Sequence, residues 1–404
     1  MKLLFVHDTY YSRSPTGEIY AYGAFPYSLW KRRFLPYFDS VTVIGREKQF
    51  AKESETLDQS SGPHVEHILL PNINSPLKRI FASRNVIQQI GHQVKSHDAV
   101  VIRGPVEFGM IAAKAARKYK IPYAIEMSGC AFDHSWYHGS FTGKLYAPVK
   151  YLRARKMVRH ADAVIYVTKQ FLQSRYPYSG LTDHASNVEI TAPGNTVLER
   201  RISKINARKD PVVFGMIGNF GNNLKGLDIA LKALGEVRES LPQFELRLLG
   251  QAEPDKWADE IRKAGLKNNV KFHGTRPGGQ PVLDWLDDLD IYLHPSRHEG
   301  LPRSVIEAMS RGLPCLASDT GGIPELLDQD CIHHKGHADE LTRHLELYVP
   351  DKNWQIFQAR KNFQMARQYS KEILAKKREN FWVNFKNKVI EKNARYSGDQ
   401  DKTG

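Results

Sequence analysis

The sequence predicts an α/β protein built from two successive doubly wound units, and three observations carry that reading. Short apolar runs of strand length recur along the chain, with helix-length periodic segments between most of them; this is the alternation of a mostly parallel sheet covered on both faces. The series breaks once, in a polar and charged stretch at residues 191–210 that opens with Pro193 and Gly194, and then starts again. Finally, 404 residues at roughly 100 to 200 per domain make two or three compact units.

In the first series the strand runs are residues 3–7, 40–45, 99–103, 122–126 and 163–168. Residues 3–7 lead into a polar segment, 8–17, and then into an aromatic-rich stretch open to a helical reading. The second series places strands at 212–217, 245–249, 270–273, 291–294 and 314–317. From about Trp354 the chain is Lys/Arg-rich and helical in composition, with Phe363, Phe381, Trp382 and Phe385 spaced to form an apolar face. The expected division is an N-terminal Rossmann-like unit over 1–195 and a second over 196–365. A helical segment over 366–395 is expected to return to the first unit, followed by a frayed tail over 396–404.

Composition excludes several classes. The apolar share of 41% and charged share of 25% are those of a globular protein, and no run approaches the roughly 18 apolar residues a bilayer span requires. Cys130, Cys315 and Cys331 are widely spaced and suggest neither a disulfide framework nor a zinc site. The apolar run at the N-terminus is too short for a signal peptide, so a cytoplasmic location is expected. The net charge of +14 is uneven: residues 1–200 hold 26 Lys and Arg against 16 Asp and Glu, and the remainder 32 against 28. The first half should therefore face something anionic, which charge alone leaves open among nucleic acid, lipid headgroups and a phosphorylated small molecule.

The most informative segment runs from Asp290 to Gly312. A strand leads into a loop holding Glu299 and Gly300, and a helix begins near Pro302 and stops at Gly312. That loop lies at the carboxyl end of a parallel strand, where open α/β sheets bind ligands. The amides of Leu301 and Arg303 begin the helix and can face a phosphate. Glu299 and Glu307 would repel such an anion unless they accept hydrogen bonds from hydroxyls beside it, as a sugar and a ribose supply. An earlier stretch, residues 214–226, reads as strand, Gly-containing loop and the approach to a helix near Leu227.

The run EGLPRSVIEAMSRGLPCLASDTGGIPELL resembles the signature of the family 4 retaining glycosyltransferases, with its Glu-x7-Glu spacing and the Gly-Gly-x-Pro-Glu one strand later. The resemblance is strong over about 210–330. It implies a GT-B fold, two Rossmann-like domains facing across a cleft, and an enzyme of bacterial cell-surface polysaccharide synthesis. By resemblance Glu299 contacts hydroxyls of the donor sugar and Glu307 the ribose, while backbone around Gly300 and Leu301 lies near the donor phosphates. Gly218, Asn219 and Lys225 fall where the family clamps the pyrophosphate; Asn219 stands where an Arg is usual, so one positive charge is missing, with Arg303 and Arg297 as candidate replacements. Glu299 and Lys225 are the expected catalytic pair. Thr275 and Arg276 match the loop under the nucleotide base. On the acceptor side the candidates are Thr16 and Gly17, in the place of the family's Gly-rich first loop, and Asp133 and His134.

The resemblance implies transfer from a nucleoside-diphosphate sugar, UDP-sugar favoured, to a saccharide or lipid-linked acceptor. The leaving phosphate accepts the acceptor's proton, so no enzymic nucleophile is needed. No cofactor and no metal are expected, and the Asp-x-Asp pairs Asp288/Asp290 and Asp328/Asp330 are assigned to solvated faces. Lys144, Lys150, Arg153, Arg155, Lys156 and Arg159, interleaved with apolar residues and extended by Lys78, Arg79 and Arg84, suit an anionic inner-membrane surface. The alternatives are a nucleotide-sugar epimerase on the same fold and a non-catalytic protein that binds anionic ligands. Nucleic acid is disfavoured as a partner, because the most specific residues are glutamates. A nicotinamide enzyme is disfavoured because no Gly-x-Gly-x-x-Gly follows the first strand.

Overall fold

The computed structural model describes residues 1–22, 25–50, 57–72, 76–137 and 141–400. The first sheet contains β1 (Lys2–Arg13), β2 (Ile19–Tyr22), β3 (Ser40–Glu47), β4 (Leu57–Gln59), β5 (Val65–Leu70), β6 (Ala99–Gly104), β7 (Tyr123–Met127), β8 (Ala163–Tyr166) and β9 (Leu181–His184). Its parallel body runs β5-β3-β1-β6-β7-β8-β9, and β2 and β4 add an antiparallel flap beyond the outer part of β1. The second sheet is β12-β11-β10-β13-β14-β15, all parallel, from β10 (Val212–Ile217), β11 (Phe244–Leu249), β12 (Val270–Phe272), β13 (Ile291–His294), β14 (Cys315–Ser318) and β15 (Ile332–His333). Strand order reverses between β10 and β13 in one sheet and between β1 and β6 in the other. Such switch points open crevices at the strands' carboxyl ends.

β1 differs from expectation. It does not stop at His7 but continues to Arg13, with a break in its register against β3 between Val6 and Tyr10. Thr9, Tyr10 and Tyr11 favour extended structure, and Tyr11 is buried. The break turns Asp8 toward the helix Glu107–Tyr119, whose first amides, at Glu107 and Phe108, donate to its carboxylate while Arg46 pairs with it. The helix after the flap is short, Tyr27–Arg33.

The polar stretch near 200 also forms an element, the helix Asn195–Ala207. Its charges have partners in the second domain. The buried Arg201 guanidinium donates to the carbonyls of Leu286, Leu289 and Arg311, and Lys204 Nζ donates to Asp287 and Leu289. Both satisfy carbonyls at and just beyond the end of the helix Gln280–Asp287, which lack intrahelical donors and favour cations. Asp290 is likewise not on a solvated face: it is buried, accepts from the amide of Val213 at 2.8 Å and lies 3.6 Å from Lys204 Nζ. It ties β13 to β10. Asp328 pairs with Lys361.

The last helix, Lys371–Gln400, lies against the first domain. Trp382 is fully buried and meets Phe34 edge-on, with ring centroids 5.1 Å apart. Lys392 Nζ donates to Asp162 at 2.9 Å, and Arg378 donates to the carbonyl of Ser186. Residues 401–404 of the expected tail lie outside the described residues. Trp382→Ala should lower stability by about 3–5 kcal/mol, as loss of a buried aromatic does, while Ile390→Ala, half exposed on the same helix, should change it by less than about 0.5 kcal/mol; denaturant titration of both variants checks this.

Candidate functional site

At the β10/β13 switch point two loops interlock. After β10 the chain forms a short turn, Asn223–Lys225, that ends in Gly226 with φ +68°. A Cβ on Gly226 would stand 1.9 Å from the carbonyl oxygen of Pro295, so only glycine lets the two loops meet. The amide of Arg297 donates to the carbonyl of Leu224 at 2.8 Å, and Ser296 Oγ lies 2.9 Å from the same carbonyl. This packing aims Lys225 at the loop after β13.

There Glu299 accepts three hydrogen bonds on one oxygen. Lys225 Nζ is 2.6 Å from Oε1, Ser296 Oγ 2.8 Å and His294 Nε2 2.9 Å. Burial alone would raise the Glu299 pKa, but the Lys225 charge and the His294 hydrogen bond outweigh it, and the carboxyl is held well below its ordinary value. Burial pushes His294 the other way, toward its neutral form. Because ionised Glu299 can only accept, His294 must carry its proton on Nε2. Among the described residues these hydrogen bonds all converge on Oε1, which leaves Oε2 to accept from a ligand.

The helix Arg303–Ser310 follows, with no side chain capping its N-terminus, so its first amides can receive an anion. Glu307 stands one turn in, where burial raises its pKa against the opposing charge of Arg303. Gly312 ends the helix at φ +63°. Asn219 is exposed and tied to neighbouring loop atoms, its amide nitrogen donating to Gln251 at 3.0 Å and its oxygen accepting from the amide of Gly221 at 2.8 Å. Arg297 does not restore the missing charge, since both its terminal nitrogens are held by Asp228 at 2.7 Å. Arg303 is exposed on the cleft. Gly218 packs beside the stem of Lys225.

The first domain closes on this cluster. A Cβ on Gly300 would lie 2.1 Å from the carbonyl oxygen of Ser128, and Gly322 is pressed between Leu301 and Thr168. Glu325, the acid of the Gly-Gly-x-Pro-Glu run, is spent on this contact: its carboxylate accepts from the amides of Lys169, Gln170 and Phe171. The His134 ring meets His298 edge-on, with centroids 5.4 Å apart, and Asp133 is buried beside them. The structure thus brings Asp133 and His134 to the Glu299 loop. Thr16 and Gly17 lie elsewhere, in the turn of the β1–β2 hairpin, where Thr16 bonds Ser14 and Glu18, and Arg13 donates to the carbonyl of Gly17. The extension of β1 carries that turn outward, and His7 and Asp8 hold the strand position from which the expected loop would have left.

A cavity of about 690 Å³ separates the domains, with Thr275, Arg276 and Arg303 on one wall and Arg33 and Arg103 on the other. Sequence reasoning missed the last two, and also His294 and Ser296. The available signals were charges ending otherwise apolar strands, Arg103 on β6 and Glu126 on β7, and polar residues at 294 and 296 leading into Glu299.

Comparison with known proteins agrees with this geometry. Residues 21–174 match the model of the glycosyl transferase 4-like domain, and residues 211–349 match glycosyl transferases group 1. Protein CapJ of Staphylococcus aureus is 29% identical over 395 residues, covering 96% of this chain and 97% of that protein. The colanic acid biosynthesis glycosyltransferase WcaL of Escherichia coli, so described as putative, is 33% identical over 116 residues, 26% of this chain and 28% of its own. Among solved structures, HepE of Anabaena in complex with UDP superposes with a TM-score of 0.62 at 18% identity, covering 98% of this chain and 100% of that one. WaaG, a glycosyltransferase of lipopolysaccharide biosynthesis, gives 0.62 at 15%, over 95% and 99%. The chain belongs to the family 4 glycosyltransferases and has their GT-B fold, two Rossmann-like domains facing across a cleft.

Proposed function

We propose that this glycosyltransferase is a retaining enzyme that moves a hexosyl group from a UDP-sugar to a saccharide or lipid-linked acceptor in cell-surface polysaccharide synthesis. The observation that carries the reading is the convergence of Lys225, His294 and Ser296 on a single oxygen of ionised Glu299. The arrangement supplies a cation for the leaving diphosphate and a fixed acceptor for a sugar hydroxyl side by side. As the anomeric bond breaks, charge grows on the diphosphate and the sugar becomes oxocarbenium-like. Lys225 and the first amides of Arg303–Ser310 stabilise the former, and Glu299 holds the ring in place. With these donors in position the step needs no divalent metal, and Thr275 and Arg276 are the residues beside the base. Support for UDP comes from HepE, solved with UDP and with UDP-glucose; support for the pathway comes from relatives named for amylovoran and colanic acid biosynthesis.

The acceptor would be met at an anionic membrane surface. Phe141, Leu145, Val149 and Leu152 form one exposed apolar row on the helix Phe141–Arg159, with Lys144, Arg155, Lys156 and Arg159 exposed around it, an arrangement suited to an anionic interface. Lys150 and Arg153 turn inward instead: burial lowers the Lys150 pKa, and Arg153 pairs with Glu107 at 3.1 Å. Arg84 is exposed on another helix, while Lys78 and Arg79 lie outside the described side chains. No helix among the described residues is long and apolar enough to cross a membrane.

Two outcomes test this reading. Glu299→Ala and Lys225→Ala should each lower kcat/KM by about 2–4 kcal/mol of transition-state stabilisation, roughly 30- to 1,000-fold, and NMR of the wild-type product should show the donor's anomeric configuration kept; unchanged turnover in both variants, or an inverted product, contradicts it. In vesicle sedimentation, binding to anionic liposomes should weaken with salt and drop sharply in Leu145→Glu and Leu152→Glu. Equal binding to neutral vesicles would speak against the membrane role.

A further inference from the structure

The wall of the cleft that belongs to the first domain is built on an unbalanced charge cluster. Glu126, at the carboxyl end of β7, is buried, and two guanidinium groups share it: Arg33 at 3.4 Å and Arg103 at 3.5 Å. Both contacts are longer than the roughly 2.7–2.9 Å of a charge-assisted hydrogen bond. Arg378, from the last helix, adds a third positive charge within electrostatic reach of Arg33, Glu126 and Arg103. Three cations thus stand near Glu126, with Glu189 the further carboxylate in reach of Arg378, and buried charge is costly unless it is paired. Burial, with Arg33 and Arg303 nearby, pushes the Arg103 pKa down to about 10 despite Glu126.

The imbalance reaches the cavity. Arg33 and Arg103 line it together with Arg32, Arg276 and Arg303, against only Asp58 and Glu189 among its lining residues. Glu189 pairs with Arg32. The Arg103 guanidinium lies over the Phe25 ring, 4.9 Å from its centroid, a contact that steadies it without neutralising it. Lys225 and the helix amides across the cleft already answer the donor's diphosphate, so the first-domain arginines remain without a ligand.

We propose that Arg33 and Arg103 bind an anionic group carried by the acceptor, a phosphate or a sugar carboxylate, and so select charged over neutral acceptors. This rests on the donor assignment above, which places the nucleotide on the other wall. The site is one for specificity and orientation: two guanidinium groups can grip a planar carboxylate or a phosphate by paired hydrogen bonds and turn the acceptor hydroxyl toward the anomeric carbon.

The test is calorimetric, on the full chain saturated with UDP, or with whichever nucleoside diphosphate it binds, so that the phosphate clamp is filled. The probes are glucose 6-phosphate, methyl glucuronide and, as neutral control, methyl glucoside. At least one anionic saccharide should bind tenfold or more tightly than the control. That affinity should fall at least tenfold in Arg103→Gln and in Ser28→Glu, with nucleotide affinity unchanged within twofold. Ser28 is an exposed residue of the same cavity, so its variant adds a repelling charge without disturbing the buried cluster and decides the matter if Arg103→Gln does not fold. The anion that binds more tightly names the acceptor's charge. Absence of anionic binding, equal binding of the neutral sugar, or full anion affinity in both variants overturns the proposal. If no nucleoside diphosphate binds, the transferase reading fails instead, and titration of the same anions without nucleotide still tests the arginines.

Discussion

Glu299 is a largely shielded carboxylate kept ionised just past the carboxyl end of β13, and the surrounding structure is arranged to permit it. Lys225 supplies the opposite charge, His294 and Ser296 supply neutral donors, and all three meet one oxygen. Holding Lys225 there requires the turn at 223–226, which requires a glycine against Pro295. That turn in turn leaves β10, the strand on the far side of the switch point. A buried charge with its partner removed is strongly destabilising, so the pair must be assembled from both loops or not at all. The chemistry proposed above rests on the same constraint, because a cation and an acceptor fixed side by side suit a leaving phosphate and a sugar hydroxyl.

The two domains are joined by backbone as much as by side chains. Gly300 against Ser128, Gly322 between Leu301 and Thr168, and Glu325 on three amides of the first domain bring the loop at 128–134 over the Glu299 cluster. The last helix makes a second connection, carrying Trp382 into the aromatic core around Phe34 and Arg378 into the charge cluster below the cleft. The cleft therefore has one wall from each domain, and the final helix packs behind the wall that the first domain supplies.

Much of this was legible in the residues. The β13 loop and its helix were readable because the strand, Glu299, Pro302 and Gly312 follow one another within a single segment, and the parallel alternation revealed both sheets. What escaped depends on contacts distant in sequence. The outer part of β1 is polar enough to look like a loop, yet it is a strand because β2 covers it. The helix at 195–207 looks like a linker because Arg201 and Lys204 serve carbonyls more than 80 residues away. Thr16 and Gly17 were placed by analogy with a loop that the longer β1 displaces. Arg103 and Glu126 end separate strands, and only the pairing of β6 with β7 sets them side by side. The sequence marks Asn219 as a missing charge and leaves Arg297 open as its replacement, whereas the structure commits Arg297 to Asp228.

The most direct test of the account is calorimetric titration of wild type and Lys225→Ala with UDP, GDP, ADP and CMP, with and without magnesium. The account predicts that one nucleoside diphosphate, UDP, binds the wild type in the micromolar range, that magnesium leaves this unchanged, and that the variant loses it. Binding that persists in Lys225→Ala, or that appears only with magnesium, would contradict the role given to the Lys225–Glu299 pair.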